Sequence, residues 1–145
     1  MKTVTVSASG GDVAIAQDRP FVLIAGPCQL ESHDHARMLA ERIAAAAETA
    51  GTRWIFKASY DKANRSSLEG RRGLGMEEGL KILGLIREEF GVPVLTDVHG
   101  PEQCGPVAEV VDILQIPAFL CRQTDLLLAA GETGRAINVK KGQFL

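Results

Sequence analysis

The sequence contains few cysteines and few aromatic residues. It has three cysteines in 145 residues, and aromatic residues make up 5% of the chain. Cys28, Cys104 and Cys121 are odd in number, and their spacing matches neither a disulfide framework nor a Cys-x-x-Cys zinc site. This scarcity excludes a small extracellular domain held together by disulfides. It is typical of a reducing compartment, so we expect a cytoplasmic protein.

The sequence also lacks a strong charge of either sign and any long hydrophobic run. The formal net charge of -2 provides no overall field to attract a polyanion, so we expect no nucleic-acid partner. The chain begins with Lys2 and alternating Val and Thr, so we expect no signal peptide and no membrane partner. What is present, 46% hydrophobic and 23% charged residues, indicates a soluble globular domain.

The spacing of the apolar residues predicts a hairpin followed by several strands. Residues 2–7 alternate in polarity, residues 9–12 favour a turn, and Val13 and Ile15 continue the alternation, so we predict an N-terminal hairpin within residues 1–18. Five short apolar runs follow, and each is predicted to be a strand buried on both faces. They lie at residues 21–27, 53–58, 92–98, 112–118 and 136–140.

Helical patterns separate these runs. The first has Ser32 as its predicted N-cap and a stripe of Ala, Leu and Ile along one face, and Gly51 ends it. The others are predicted to begin near Met76, Pro101 and Thr124, and the one from Met76 ends at Phe90. This alternation predicts an α/β fold with a parallel sheet, either an open doubly wound sheet or part of a barrel.

Polar residues within or after the five predicted strands favour the barrel. In a barrel every strand delivers groups to one mouth, whereas an open sheet gathers its site at one switch point. These polar residues are Cys28, Lys57, Ser59, Asp97, His99, Gln115, Lys140 and Gln143. We therefore expect residues 20–145 to hold the first five strands and first four helices of a (β/α)8 TIM barrel. Because such a barrel closes at eight strands, we expect a truncated chain, with a natural half-barrel as the alternative.

Cations and small polar residues are concentrated after the second predicted strand. Lys57, Lys62 and Arg65 lie within residues 56–67 among Ser, Asn and Asp side chains. Clustered cations repel each other unless an anion lies between them, so the segment is interpreted as a phosphate or carboxylate site. The alternative is a solvated basic loop. The glycine-rich stretch 70–75 follows no strand directly, so it is a weak nucleotide-loop signal and is interpreted as a flexible loop of the substrate site.

Five ordered blocks of the chain resemble one enzyme family, the 3-deoxy-D-manno-octulosonate 8-phosphate synthases, also called 2-dehydro-3-deoxyphosphooctonate aldolases. The blocks are residues 25–32, 56–67, 96–99, 115–125 and 138–144. The Gly-Pro-Cys of the first block is shared with the related 3-deoxy-D-arabino-heptulosonate 7-phosphate synthases. The segment Lys62–Ser67 resembles the octulosonate enzymes in particular.

The resemblance implies a reaction and an assembly. Phosphoenolpyruvate would condense with D-arabinose 5-phosphate and water to give the eight-carbon phosphorylated sugar acid and phosphate, a step towards lipopolysaccharide. The implied fold is a (β/α)8 barrel and the implied assembly is a homotetramer. Two alternatives stay open: an inactive truncated barrel or phosphosugar-binding fragment, and a heptulosonate 7-phosphate synthase that uses erythrose 4-phosphate.

The resemblance also implies roles for individual residues. Lys62, Asp97 and His99 would be catalytic. Phosphoenolpyruvate would be held by the lysines and by neutral groups around them, namely Lys57, Lys62, Gln115, Ala118, Phe119, Lys140 and Gln143. Ser59 would also bind substrate. The sugar phosphate would be held by Asn64, Arg65, Ser66 and Asp97, with Arg122 reaching it from a neighbouring subunit.

Cys28 determines the sub-class that the resemblance implies. Family members with Cys at this position use a divalent metal, so we expect Cys28 to ligate Zn²⁺, Fe²⁺, Mn²⁺ or a similar ion. The other ligands, a His, a Glu and an Asp, would lie beyond Leu145. Two other interpretations of Cys28 are a small buried hydrophobic residue and a nucleophile activated by His99.

Overall fold

The computed structural model describes residues 2–63 and 67–143 of the chain. Two short strands, β1 (Val4–Val6) and β2 (Val13–Ile15), form an antiparallel hairpin. Five further strands alternate with four helices. In chain order these elements are β3 (Leu23–Ala25), α1 (His33–Thr49), β4 (Trp54–Lys57), α2 (Met76–Phe90), β5 (Val94–Asp97), α3 (Pro101–Val110), β6 (Ile113–Ile116), α4 (Thr124–Glu132) and β7 (Ala136–Val139).

The five later strands form one parallel sheet in which spatial order equals chain order. The order is β3-β4-β5-β6-β7, so each strand pairs with the strand next to it along the chain. A doubly wound sheet would reverse direction at a switch point. This sheet has no reversal among the described strands, and it curls into part of a barrel. The predicted partial (β/α)8 barrel with an N-terminal hairpin is confirmed.

The helices form a layer on the outer face of the sheet, and their ends agree with the sequence signals. The Ser32 hydroxyl caps α1 by accepting a hydrogen bond from the backbone N–H of His35 at 3.1 Å. Helix α2 spans the predicted Met76–Phe90 and ends at Gly91, whose φ of 63° is left-handed. Helix α1 stops at Thr49, two residues before Gly51. None of the helices within the described ranges is both long and apolar enough to cross a membrane.

The inner face of the sheet changes character along the strands. Near the amino ends it is apolar, and Ile55, Leu95 and Ile113 form a buried cluster with Val6 and Val13 of the hairpin. Two residues further along each of these strands, the side chains are polar because alternate residues share a face. These polar residues are Lys57 on β4, Asp97 on β5 and Gln115 on β6. The hairpin therefore closes the base of the half-barrel, and the polar side chains lie at its mouth.

Hydrogen bonds to the main chain of the turn fix the hairpin against the base. The Gly10 N–H donates to the Gly91 carbonyl at 2.9 Å, and a Cβ atom on Gly10 would lie only 2.5 Å from that oxygen. The Arg53 guanidinium donates to the carbonyls of Gly10, Gly11 and Asp12. The hairpin is therefore attached to the elements at both β4 and the end of α2.

The prediction that all five strands are buried on both faces is wrong for the first and the last. Every residue of β5 and β6 is buried, whereas no residue of β3 or β7 is fully buried. On β3, Ile24 is 40% exposed, and on β7, Val139 is 46% exposed. The physical reason is position, because an edge strand has only one neighbouring strand in the described sheet.

Candidate active site at the strand ends

A cavity of about 610 Å³ opens at the carboxyl ends of the strands. Ten of the residues singled out from the sequence line it: Cys28, Lys57, Ser59, Lys62, Asp97, His99, Ala118, Phe119, Lys140 and Gln143. They come from all five strands of the sheet or the segments that follow them. The structure thus brings these residues to one mouth, and their individual binding and catalytic roles stay predictions.

A chain of polar contacts crosses four neighbouring strands beneath the cavity. The Lys57 Nζ atom lies 3.4 Å from Asp97 Oδ2, and Gln115 Nε2 donates to Asp97 Oδ1 at 2.7 Å. Asn138 Nδ2 donates in turn to Gln115 Oε1 at 2.7 Å. Buried amides and carboxylates with such partners are held in one orientation. This series of polar contacts therefore fixes the carboxylate of Asp97 and the ammonium of Lys57 relative to each other.

Asn138 belongs to this series of polar contacts, but sequence reasoning did not single it out. It lay in a matching block but was given no role. No local sequence signal marks it, because only the strand register places Asn138 on β7 opposite Gln115 on β6. Gln115 is itself 5% exposed and does not line the cavity, so in this structure it supports Asp97 from below.

The charges around the cavity favour an anionic occupant. Three lysines line it, namely Lys57, Lys62 and Lys140, together with the acidic residues Asp61 and Asp97. Asp97 is paired with Lys57, and Asp61 forms an ion pair with Arg72 through two hydrogen bonds of 2.9 and 2.5 Å. Both carboxylates are thus matched by cations, and the side chains of Lys62 and Lys140 add positive charge. Such a site suits a phosphate or a carboxylate.

Lys62 is carried by a loop that folds back on itself. Its backbone N–H donates to the Arg72 carbonyl at 2.6 Å, and the Gly75 N–H donates to the Tyr60 carbonyl at 3.2 Å. Gly73 has a φ of 112°, and a side chain there would collide with the Tyr60 carbonyl. The glycine-rich stretch therefore packs against the segment that positions Lys62. Ser59 is 4% exposed, and its hydroxyl donates to the Asp61 carbonyl at 2.7 Å.

The segment after β6 forms one wall of the cavity. Pro117 precedes a short 3₁₀ helix, Ala118–Leu120, and Phe119 is 62% exposed. Arg122 is also exposed but does not line the cavity. Three further predicted residues, Asn64, Arg65 and Ser66, lie outside the described part of the chain.

Cys28 is exposed and lines the cavity. The interpretation of Cys28 as a small buried hydrophobic residue is therefore wrong, since the loop after β3 presents it to the mouth. No group of three or more His, Cys, Asp or Glu residues within 2–63 and 67–143 is arranged to hold a metal ion. Within these ranges Cys28 is a donor suited to Zn²⁺ or Fe²⁺, but the described residues do not form a complete site. Cys104 is buried, and burial raises the pKa of its thiol.

These features define a class of protein, a partial α/β barrel with a cation-rich pocket at the carboxyl ends of parallel strands. Catalytic sites of such barrels lie at this end. The family model described as the DAHP synthetase I family matches residues 3–145, and the chain belongs to that family.

Three similar relatives carry the name 2-dehydro-3-deoxyphosphooctonate aldolase. The protein of Granulibacter bethesdensis is 66% identical over 135 residues, which are 93% of this chain and 48% of that protein. The protein of Bartonella bacilliformis is 56% identical over 145 residues, covering all of this chain and 51% of the relative. That of Brucella anthropi is 53% identical, covering all of this chain and 52% of the relative. The chain spans about half the length of these curated relatives.

Proposed function

We propose that this chain provides the substrate-holding half of an enzyme that condenses phosphoenolpyruvate with D-arabinose 5-phosphate and water. The products would be 3-deoxy-D-manno-octulosonate 8-phosphate and phosphate, a precursor step in lipopolysaccharide biosynthesis. The observation that carries the proposal is the cavity with Lys57, Lys62 and Lys140 at the strand ends. The shared name of the relatives supports the choice of reaction.

The shape and charge of phosphoenolpyruvate fit this cavity. The molecule carries a carboxylate and a phosphate at its two ends, so it needs cations that converge from different directions. Lys57 comes from β4, Lys62 from the loop after β4, and Lys140 from the end of β7. Charge-assisted hydrogen bonds from such groups are about twice as strong as neutral ones. Phe119 and Ala118 would form the wall beside the planar enol.

The condensation requires that two reactants meet in a defined geometry. The enol carbon of phosphoenolpyruvate would attack the aldehyde carbon of the sugar, whose oxygen takes up a proton. Water would add to the neighbouring carbon and lose a proton, and the bond from that carbon to the phosphate oxygen would break to release phosphate and leave the ketone. Holding both molecules in attack geometry supplies roughly 7–11 kcal/mol of the barrier. In this proposal Asp97, held by Lys57 and Gln115, accepts a hydrogen bond from a sugar hydroxyl. Lys62 and His99 are the other catalytic residues.

The proposal includes a divalent metal ion on Cys28. The exposed thiol at the mouth is a suitable donor for Zn²⁺ or Fe²⁺, and other ligands would come from sequence beyond Leu145. When bound, the metal would supply Lewis-acid polarisation of the aldehyde or of water. The proposal further includes a homotetramer in which the exposed Arg122 serves a neighbouring site, and a cytoplasmic location.

A hybrid protein tests the reaction. In it, this chain replaces the matching half of the Granulibacter bethesdensis relative, and phosphate release is measured with phosphoenolpyruvate, arabinose 5-phosphate and a divalent metal. We expect turnover that depends on both substrates. An inactive hybrid that folds, beside an active parent, would refute the proposal, and a preference for erythrose 4-phosphate would refute the choice of sugar.

The metal is tested in the same hybrid. Cys28→Asn should lower its sensitivity to a chelator and its zinc or iron content, whereas Cys121→Asn should leave both unchanged. If Cys28→Asn keeps the full metal content and the full chelator sensitivity, Cys28 is not a ligand.

A further inference from the structure

A separate hydrogen-bonded group lies behind His99. Gln103, in the first turn of α3, accepts two hydrogen bonds at its Oε1 atom. One comes from the backbone N–H of His99 at 2.8 Å, and the other comes from the Tyr60 hydroxyl at 2.7 Å. Tyr60 follows β4 and His99 follows β5. A single amide oxygen therefore ties together the two segments that leave neighbouring strands at the mouth.

Packing orients the imidazole ring of His99. The ring meets Tyr60 edge to face, with centroids 6.2 Å apart and an interplanar angle of 88°. Its Nδ1 atom is enclosed and has no hydrogen-bond partner among the described residues. No hydrogen bond at Nδ1 thus holds the ring, and its orientation depends on the Tyr60 contact and on the backbone. Nε2 is the nitrogen left to reach an occupant of the cavity.

Tyr60 is well suited to this supporting position. It is 1% exposed, and Gly79 of α2 leaves room for it, since a Cβ atom there would collide with Tyr60 Cβ. Burial, together with nearby carboxylates, raises the pKa of the Tyr60 phenol well above its usual value. The hydroxyl therefore stays protonated and remains the donor in its bond to Gln103.

We propose that Gln103 and Tyr60 are positioning residues for His99. Gln103 holds the backbone of His99 through its amide oxygen, and the Tyr60 ring holds the imidazole toward the cavity. Neither residue lines the cavity, so both act through His99. The inference rests on the proposed function, because His99 belongs to the same site.

Two variants of Gln103 differ in whether they keep the side-chain hydrogen-bond acceptor. Gln103→Met has a similar length but no oxygen acceptor, whereas Gln103→Glu keeps an acceptor at the same reach. In this chain, hydrogen exchange followed by NMR should show the His99 amide exchanging about tenfold faster in Gln103→Met and at its original rate in Gln103→Glu. The buried Leu114 amide, read from the same spectra, reports whether the fold is intact. An unchanged His99 amide in a folded Gln103→Met protein would overturn the inference.

Kinetics of the hybrid protein test the consequence for the reaction. Gln103→Met should lower kcat about tenfold and leave the KM for phosphoenolpyruvate unchanged, because the loss concerns orientation rather than binding. Gln103→Glu should restore kcat, and Tyr60→Phe, which keeps the ring, should fall between the two. Full kcat in Gln103→Met, or equal loss in Gln103→Glu, would overturn the inference. A hybrid inactive without these substitutions would refute the proposed function instead, and amide exchange would still test the positioning.

Discussion

The base and the mouth of the half-barrel are built from the same strands but serve different ends. At the base, Ile55, Leu95 and Ile113 are buried under the hairpin. Two residues later, a rise of about 6.6 Å, the same face carries Lys57, Asp97 and Gln115. Two residues along the strands thus separate a buried apolar region that stabilises the fold from a polar region that can hold a ligand. Changes at the two ends should therefore have different consequences.

The largest effect is expected from removing apolar volume at the base. Leu95→Ala should lower the free energy of unfolding by about 2–5 kcal/mol, because Leu95 is fully buried and a cavity would remain under the hairpin. Urea unfolding of this chain measures the change. Leu85→Ala on the outer surface of α2, where Leu85 is 49% exposed, is the control and should change stability by less than about 0.5 kcal/mol. Equal losses in both variants would remove the distinction between base and surface.

A substitution at the mouth should affect the reaction rather than the fold. In the hybrid protein, Lys57→Met should lower kcat/KM by about 10²–10³-fold, because the variant loses an ammonium that holds phosphoenolpyruvate and leaves the Asp97 carboxylate without its cation. Lys81→Met, at an exposed position of α2, is the matched control and should keep full activity. If Lys57→Met instead keeps its activity and lowers the thermal midpoint as much as Leu95→Ala does, the mouth is part of the structural core.

One carboxylate near the base tests whether polar groups there are structural. Asp112 is 4% exposed and accepts hydrogen bonds from the Val94 N–H at 2.9 Å and the Arg87 guanidinium at 3.0 Å. Asp112→Ala leaves that N–H without its partner, so the free energy of unfolding should fall by about 1–3 kcal/mol. Arg87→Met leaves the buried Asp112 carboxylate without its cation and should cost more. Urea unfolding of the two variants decides the order, and the reverse order would contradict this account.

The smallest effect concerns the far end of the polar chain. Asn138→Ala removes one hydrogen bond to Gln115, worth about 1 kcal/mol, so binding of phosphoenolpyruvate by the hybrid should weaken about fivefold. Calorimetric titration measures the affinity. Asn138→Asp keeps an oxygen but not the donor, so this variant should bind phosphoenolpyruvate at least as weakly as Asn138→Ala. Unchanged affinity in both variants would show that the polar contacts beneath the cavity do not affect the binding of phosphoenolpyruvate.

Local signals in the sequence predicted most of the elements. The predicted bounds of helix α2, Met76 and Phe90, agree with the structure at both ends, and Pro101 and Thr124 begin the later helices as expected. Polar residues after each strand predicted the mouth, because parallel strands end on the same side. The exposure of Ile24 and Val139 was not predicted, since strand composition does not reveal which strands lie at the sheet edges.

The supporting contacts of the site were also beyond sequence reasoning. Gln103 and Asn138 have ordinary local environments, one in a helix and one in a strand. Their partners lie far away in the sequence, with Tyr60 43 positions from Gln103 and Gln115 23 positions from Asn138. Only the register of neighbouring strands and the placement of α3 bring these groups within hydrogen-bond distance.

The sequence by itself determined the helices, the strands and the order in which polar side chains follow the strands, because periodicity and capping act over a few residues. The tertiary structure decided which inner-face residues are dry and which face a ligand. That distinction depends on covering: the hairpin buries Leu95, while Asp97, two residues later, lies at the open cavity. Alternation along a strand is local, but whether a face is covered depends on elements far away in the chain.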